Sequence, residues 1–273
     1  GSAILLKYSG IDATSAFKLY HPLSILDLLP TGSAVGRFVS PKVPKMKSVS
    51  SILPNIPLSH ILNTYDFAEN ARGRVSKEAW DYLLSAADDE VTSRCNEEFF
   101  NRIWLKPRVL RNVSHIDTSI SLFGRDFPTP IFVSPTAMGR LYHPDGEMGI
   151  TRGASKIVQI CPTLASCSIE EMAGARSPAQ TQWFQLYVNP NRVVTESIIR
   201  RAEQLGMQVL VVTVDVAVFG KRERDERNKK VSEVSNIQKS VDPPADRSRG
   251  ISRSLSSFID SGFDWETLKW IRS

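Results

Sequence analysis

The sequence is poor in the features that usually announce a function. No apolar run reaches the roughly 18 residues of a membrane-spanning helix, so no stretch reads as one. Cysteine occurs three times, at Cys95, Cys161 and Cys167. The odd number and the lack of metal-ligand spacing exclude a disulfide framework, leaving free thiols of a reducing compartment or small buried residues. There is no G-x-G-x-x-G after the first strand and no G-x-x-x-x-G-K-[ST], so folds built on a nucleotide fingerprint lose ground. The first residues do not form a signal peptide. The chain starts on Gly1-Ser2 without methionine, which reads as a cloning scar or as a cut inside a longer protein.

What remains is ordinary globular composition: 273 residues, 41% hydrophobic and 23% charged, with a net charge of +5. The excess charge is local. Lys221 to Ser254 holds ten basic and six acidic residues, a surplus of four. Its signs are mixed, it has no aromatics and Asp242-Pro243-Pro244 interrupts it, so it reads as a solvated, mobile loop rather than a nucleic-acid surface. Residues 36–58 carry Pro41, Pro44, Pro54 and Pro57 with serines and lysines and no sustained periodicity, the pattern of a linker. The 35 residues before it are too few for an independent core. Residues 59–273 form the main domain.

Within that domain, strands and helices alternate. Ser76 caps a helix through "KEAWDYLLSAA". Strands are expected at Ile131 to Ser134, Gln159 to Ala165, Trp183 to Val188 and Val209 to Asp215, the last apolar enough to be buried on both faces. Helices are expected at Glu147 to Ile157, after a Ser168/Glu171 capping box, and at Arg192 to Leu205, closed by Gly206. Asp264 caps a terminal helix whose Trp265, Leu268 and Ile271 recur at helical spacing. Such alternation means right-handed parallel βα units, the start of either a doubly wound sheet or a (β/α)8 barrel. Polar residues at the strand ends (Ser134-Pro135-Thr136, Gln185 to Tyr187, Thr213 to Asp215) favour the barrel, whose sites lie at the carboxyl ends of its strands. A barrel needs eight strands and four are legible, so the expected fold class is α/β, the first half of a (β/α)8 TIM barrel.

The motifs "VSPTAM", "TLASCS", "WFQLYV", "VVTVD" with "GKRERD" downstream, and "SRSLSSFID…DWETLKWI" resemble the FMN-dependent α-hydroxy acid dehydrogenases and oxidases, over about Leu62 to Ser273. The leading "ILLKYSGIDATSAFKLYHP" is similar to the tail end of a cytochrome b5-like haem domain. The resemblance implies FMN as cofactor and haem b in the complete protein. It implies a small L-2-hydroxy acid, lactate foremost, as substrate, with cytochrome c as electron acceptor. It also implies a homo-oligomer and the mitochondrial intermembrane space; apart from the resemblance the expected location is the cytoplasm.

Residue by residue, the resemblance sets the backbone of Pro135, Thr136 and Ala137 against the flavin ring, and the side chains of Gln185 and Thr213 on its polar edge. Tyr82 would meet the substrate carboxylate and Tyr187 its hydroxyl. Ala137 and Leu164 would border the substrate side chain, and Arg222 would reach the flavin or substrate side. Asp215 would orient a catalytic histidine. A carboxylate ending an apolar strand is costly to bury unpaired, so it should have a partner. His21 would be one of two axial haem ligands, its partner lying upstream. His60, His115 and His143 match no motif and fall to surface or capping roles.

Some positions depart from the family pattern. Pro162 stands where relatives have a serine that bonds the flavin, Leu83 replaces a tyrosine, Ala86 a glycine and Ala217 a proline. The family's lysine strand, its H-G-G-R histidine and arginine and its phosphate loops have no counterpart in these 273 residues. Two readings stay open: a fragment, truncated at both ends, of a hydroxy acid dehydrogenase, and a non-catalytic product of such a sequence.

Overall fold

The computed structural model describes residues 56–228, 235–240 and 248–272, together with Pro30. Pro30 apart, these lie in one unit, Leu53–Ser273. His21, residues 1–35 except Pro30, and most of the 36–58 linker lie outside the described residues.

The elements, in chain order, are α1 (Thr64–Ala71), α2 (Lys77–Leu84), α3 (Val91–Phe99), β1 (Ile120–Leu122), β2 (Arg125–Phe127), α4 (Gly146–Gly153), β3 (Gln159–Cys161), α5 (Ile169–Gly174), β4 (Gln182–Leu186), α6 (Arg192–Gln204), β5 (Leu210–Val212), α7 (Glu223–Glu226), α8 (Gly250–Ser256) and α9 (Trp265–Arg272). The central sheet is parallel in the order β3-β4-β5, with Gln159 opposite Gln182 and Phe184 opposite Leu210. The helix starts follow local chemistry. Ser76 accepts from the Ala79 N–H, Ser168 and Glu171 close a reciprocal capping box, and Asp264 accepts from the Thr267 N–H.

Alternation along β4 sorts the two faces of the sheet. Phe184 and Leu186, with Cys161 of β3, pack under the helices against Met172, Ile198, Ala202, Ile251, Leu255 and Phe258. Each fully buried side chain of this kind contributes about 1.5–3 kcal/mol. Trp183 points to the opposite face, where Phe123, Phe127 and Phe132 surround it with ring centroids 5.6, 6.2 and 5.3 Å away. Two of these aromatics come from the antiparallel β1–β2 hairpin, whose turn residues Phe123 and Gly124 both have positive φ (51° and 72°), as a two-residue turn between right-twisted strands requires. The hairpin covers the amino end of this face. The carboxyl end, bearing Gln185 and Tyr187, is left to the site.

Three expectations are corrected. The strand expected at Ile131 to Ser134 is one parallel bridge, Val133 to Gln159, because Pro130 and Pro135 on either side have no N–H to give to a ladder. The strand expected at Val209 to Asp215 pairs only over Leu210–Val212, and it is half-buried rather than buried on both faces. It has β4 on one side and, among the described residues, no strand on the other. Parts of the basic segment are built structure. Asp225 in α7 is fully buried and accepts hydrogen bonds from the Ile251 and Ser252 N–H groups at 3.0 and 2.8 Å, fastening α7 to the buried helix α8.

That junction explains Gly250. Its φ is +64°, and a Cβ there would lie 2.7 Å from the Asp225 carbonyl oxygen. Left-handed strain alone is about 1–2 kcal/mol for an L-residue. Gly250→Ala is therefore expected to destabilise the fold by more than about 2 kcal/mol once the backbone clash is added, read by chemical denaturation.

Candidate active site

Four neighbouring strand ends meet at the open carboxyl edge. The Gln185 side chain is at its centre. Its Oε1 accepts from the Thr163 N–H at 3.0 Å and its Nε2 donates to Thr213 Oγ1 at 2.9 Å. Thr163 Oγ1 donates to the Gln185 carbonyl at 2.5 Å and accepts from the Tyr187 N–H at 3.0 Å. Gln185, Tyr187 and Thr213 are thus brought together, and Thr163, which carried no role in the sequence reading, is what joins them. Thr163 belongs to "TLASCS", but a hydroxyl that reaches the next strand's backbone leaves no periodic signal.

Beside this network, Pro135, Thr136 and Ala137 continue from the Val133 bridge. Pro135 and Thr136 are exposed, and no backbone–backbone hydrogen bond engages residues 134–137 among the described residues. Thr136 Oγ1 donates to the Ser134 carbonyl at 3.3 Å. Ala137 packs on the core, and Leu164, 2% exposed, is part of it. Pro162 is buried and borders a void of about 20 Å³ with Phe184 and Ile198, towards the helix layer. That placement offers no support for a flavin contact there.

The second group is built on α2. Arg222 lies over the Tyr82 ring, its Cζ 4.8 Å from the ring centroid. Its Nε donates to Ser85 Oγ at 3.2 Å, and its Nη2 donates to the Ser85 carbonyl at 2.6 Å and to the Tyr82 carbonyl. Arg224 donates from Nε to Glu90 Oε1 at 3.0 Å and from Nη2 to the Leu84 carbonyl. The Arg224 hydrogen bond, backed by the Ala86 N–H, holds the Glu90 carboxyl below its ordinary range. The "GKRERD" segment therefore grips the end of α2 and sets where Tyr82 stands.

Burial pushes the Tyr82 phenol up, and the neighbouring Arg222 only partly offsets it. Tyr187 is raised by burial and then by Asp215. Tyr142, unassigned from sequence, is raised by burial and by Tyr82. All three hydroxyls stay protonated donors at neutral pH. The folded-state values lie above the unfolded value near 10, so the native state holds more protons once the unfolded chain ionises. Stability is then expected to be intact below about pH 10 and to fall as pH rises beyond it. Thermal melts across that range, with Tyr82→Phe showing a shallower fall, check this.

Asp215 is not the buried carboxylate expected. It is exposed and makes no hydrogen bond among the described residues, so β5 carries no desolvation penalty for it. No group of three or more His, Cys, Asp or Glu that could hold a metal ion occurs among the described residues. Cys161 and Cys167 are buried and Cys95 is exposed, all free, and burial pushes the Cys161 thiol up to about 12.

The edge fits a planar heteroaromatic ring with polar atoms along one side. The backbone of residues 134–137 is unengaged by other backbone groups among the described residues. Gln185, itself buried, takes the Thr163 N–H on its oxygen and gives its amide nitrogen to Thr213 Oγ1, which fixes the half-buried Thr213 hydroxyl at the edge. The profile of the FMN-dependent dehydrogenases matches residues 71–273, and the chain belongs to that family. The chain is 40% identical over 284 residues to the L-lactate dehydrogenase (cytochrome) of Wickerhamomyces anomalus, covering all of this chain and 49% of that protein. It is 34% identical over 296 residues to the protein of the same name from Saccharomyces cerevisiae, covering 50% of it. The recombinant flavin-binding domain of baker's yeast flavocytochrome b2 superposes with a TM-score of 0.67 at 37% identity, over 80% of this chain and 52% of that one. The chain spans about half the length of the curated relatives it matches. No described helix is long and apolar enough to cross a membrane.

Proposed function

We propose that this chain supplies the flavin-facing edge and part of the substrate pocket for oxidation of an L-2-hydroxy acid, lactate foremost, to the 2-oxo acid. The observation that carries the reading is the convergence of the Gln185–Thr213 pair, the half-buried Tyr187 and the Arg222-stacked Tyr82 at one end of the sheet. FMN, when bound, accepts the two electrons that leave the substrate carbon. Pro135, Thr136 and Ala137 would hold it by backbone contacts, and Gln185 and Thr213 by hydrogen bonds to its polar edge. Tyr82, with its hydroxyl kept protonated, donates to the substrate carboxylate. Arg222 adds positive charge on that side and fixes the ring's position. Tyr187 donates to the substrate oxygen and orients it. The departing hydroxyl and α-protons need a positioned base. Asp215, solvent-facing on this chain, would stabilise such a base once it is charged.

The same reading gives residues 1–35 as the tail of a cytochrome b5-like domain, with His21 as one axial ligand of haem b and cytochrome c as the onward acceptor. It is supported by the match of the two relatives named L-lactate dehydrogenase (cytochrome) over the whole of this chain, beyond the part the family profile covers. A mitochondrial intermembrane location and a homo-oligomer of the complete enzyme belong to the same proposal.

The pocket side tests the substrate class. Ala137 and Leu164 leave a compact apolar wall, and one methylene in such a wall is worth about 1–3 kcal/mol. Joined to the remainder of the flavin domain of a relative, the chain is expected to oxidise lactate with a higher kcat/KM than mandelate, and Leu164→Ala to narrow the gap. Mandelate turning over faster than lactate would contradict the assignment.

A further inference from the structure

Glu147 is fully buried on α4, and its carboxylate hydrogen-bonds to Gly139, Ser166 and Cys167, none of them assigned above to substrate or flavin. Its carboxylate accepts four hydrogen bonds. Oε1 takes the Gly139 N–H at 2.8 Å and the Ser166 N–H at 3.0 Å. Oε2 takes Ser166 Oγ at 2.8 Å and the Cys167 N–H at 3.0 Å. Only a carboxylate presents that many acceptor sites and no donor. Burial pushes this carboxyl up, but the Gly139 and Ser166 groups pull it further down, so the net direction is below the ordinary range.

The surroundings are shaped for close approach. A Cβ on Gly139 would lie 2.9 Å from the Glu147 nitrogen, and one on Gly146, at φ +52°, would lie 2.9 Å from Arg140 Cγ. Arg140 adds a second tie: its N–H donates to Ser166 Oγ at 2.9 Å and its Nη1 to the Ser166 carbonyl at 2.9 Å. The two segments joined in this way follow directly on the two strand ends nearest the flavin edge. Residues 138–141 come after Pro135–Ala137, and Ser166 and Cys167 come after Thr163 and Leu164. In the sheet these strand ends are neighbours through the Val133–Gln159 bridge, which lies well below them. Above that bridge the recorded ties between them run through Glu147 and Arg140.

We infer that Glu147 is a positioning residue that clamps the loops after the first two strand ends into one rigid unit and so holds the flavin-facing edge in its binding shape. This rests on the flavin assignment made above. In Glu147→Gln one oxygen becomes an amide N–H2; set toward Ser166 Oγ, which can turn to accept, it still faces the Cys167 N–H, so at least one of the four bonds is lost while volume is conserved.

The test combines hydrogen exchange on the purified chain, resolved to short peptides, with FMN titration by fluorescence quenching, for wild type, Glu147→Gln and Ser166→Ala. Glu147→Gln is expected to speed exchange at Gly139, Ser166 and Cys167, to leave α6 protected, and to raise the FMN Kd by about tenfold, the scale of one charge-assisted bond. Ser166→Ala should give the same pattern to a smaller degree. It decides the matter if Glu147→Gln fails to fold. Unchanged exchange at these amides, or faster exchange with an unchanged Kd, overturns the clamp. No FMN binding even when the wild-type chain is joined to the remainder of a relative's flavin domain removes the flavin assignment instead, and with it the clamp's role in binding.

Discussion

The Arg222→Ala variant is expected to melt roughly 4–12 °C below the wild-type chain, on a loss of about 2–3 kcal/mol at 2–4 °C per kcal/mol for a domain of this size. The alanine leaves the Tyr82 and Ser85 carbonyls and the Ser85 hydroxyl without their common donor in a half-buried setting. It also removes the cation from the Tyr82 ring, an interaction worth about 0.5–1 kcal/mol when partly exposed. Lysine keeps the charge but not the planar fork, so Arg222→Lys should recover less than half of the loss. The effect should reach the site as well as the fold, because Arg222 is what sets the Tyr82 ring in place. Circular dichroism melts check the first part. A shift under about 2 °C, equivalent to less than 1 kcal/mol, would mean the grip on α2 is a surface contact of little weight.

The second large effect concerns the 273-residue chain purified alone. It is expected to bind FMN weakly, to self-associate and to show no lactate-dependent dye reduction. The family resemblance assigns the flavin phosphate to loops, and the catalytic histidine and carboxylate-binding arginine to a motif, that have no counterpart in this sequence. Two or three absent charge-assisted hydrogen bonds at about 1.5–3 kcal/mol each amount to roughly 3–9 kcal/mol, a hundredfold to a millionfold in affinity against a complete member. Self-association follows from the surface. Trp104, Leu105 and Leu110 are 87%, 94% and 102% exposed, and Phe99, Phe100, Ile103, Val109, Val113 and Ile116 extend the same apolar stretch. Arg102, Lys106, Arg108 and Arg111 interleave with these residues, yet so many exposed apolar side chains in one short stretch exceed what scattered surface residues present. Among the described residues no strand pairs with the outer edge of β5, which adds a strand edge to this surface. A monodisperse monomer that binds FMN tightly and turns over lactate would overturn this.

The parts of the fold that were legible in the sequence were those written locally. The Ser168/Glu171 capping box, the Ser76 and Asp264 caps and the β4 strand each depend on residues within a few positions of one another. What was missed depends on distant partners. The β1–β2 hairpin has strands of three residues and a Phe-Gly turn, too short for alternation to show, and its meaning comes from Trp183 some sixty positions away. Glu147 looked like one more charge in a helix until Gly139, Ser166 and Cys167 closed around it. The basic segment had the composition of a mobile loop, yet Arg222, Arg224 and Asp225 each spend their charge on a specific partner well over twenty positions away. Asp215 erred the other way. Its position after an apolar strand implied burial, but among the described residues β5 has a neighbouring strand on one side only. The candidate site residues stand out chiefly as motifs, since no spacing rule brings Tyr82 under Arg222.

The most direct test of the carboxyl edge as the flavin site is hydrogen exchange of the chain with and without saturating FMN. The cofactor should slow exchange in residues 134–137, 185–187 and around Thr213, and leave the amino end of the sheet, residues 155–158 and 179–181, unchanged. That amino end borders a cavity of about 560 Å³, lined by Arg125, Lys156 and Gln180 among others, and is the natural competitor. Protection there, with none at the carboxyl edge, would contradict the account.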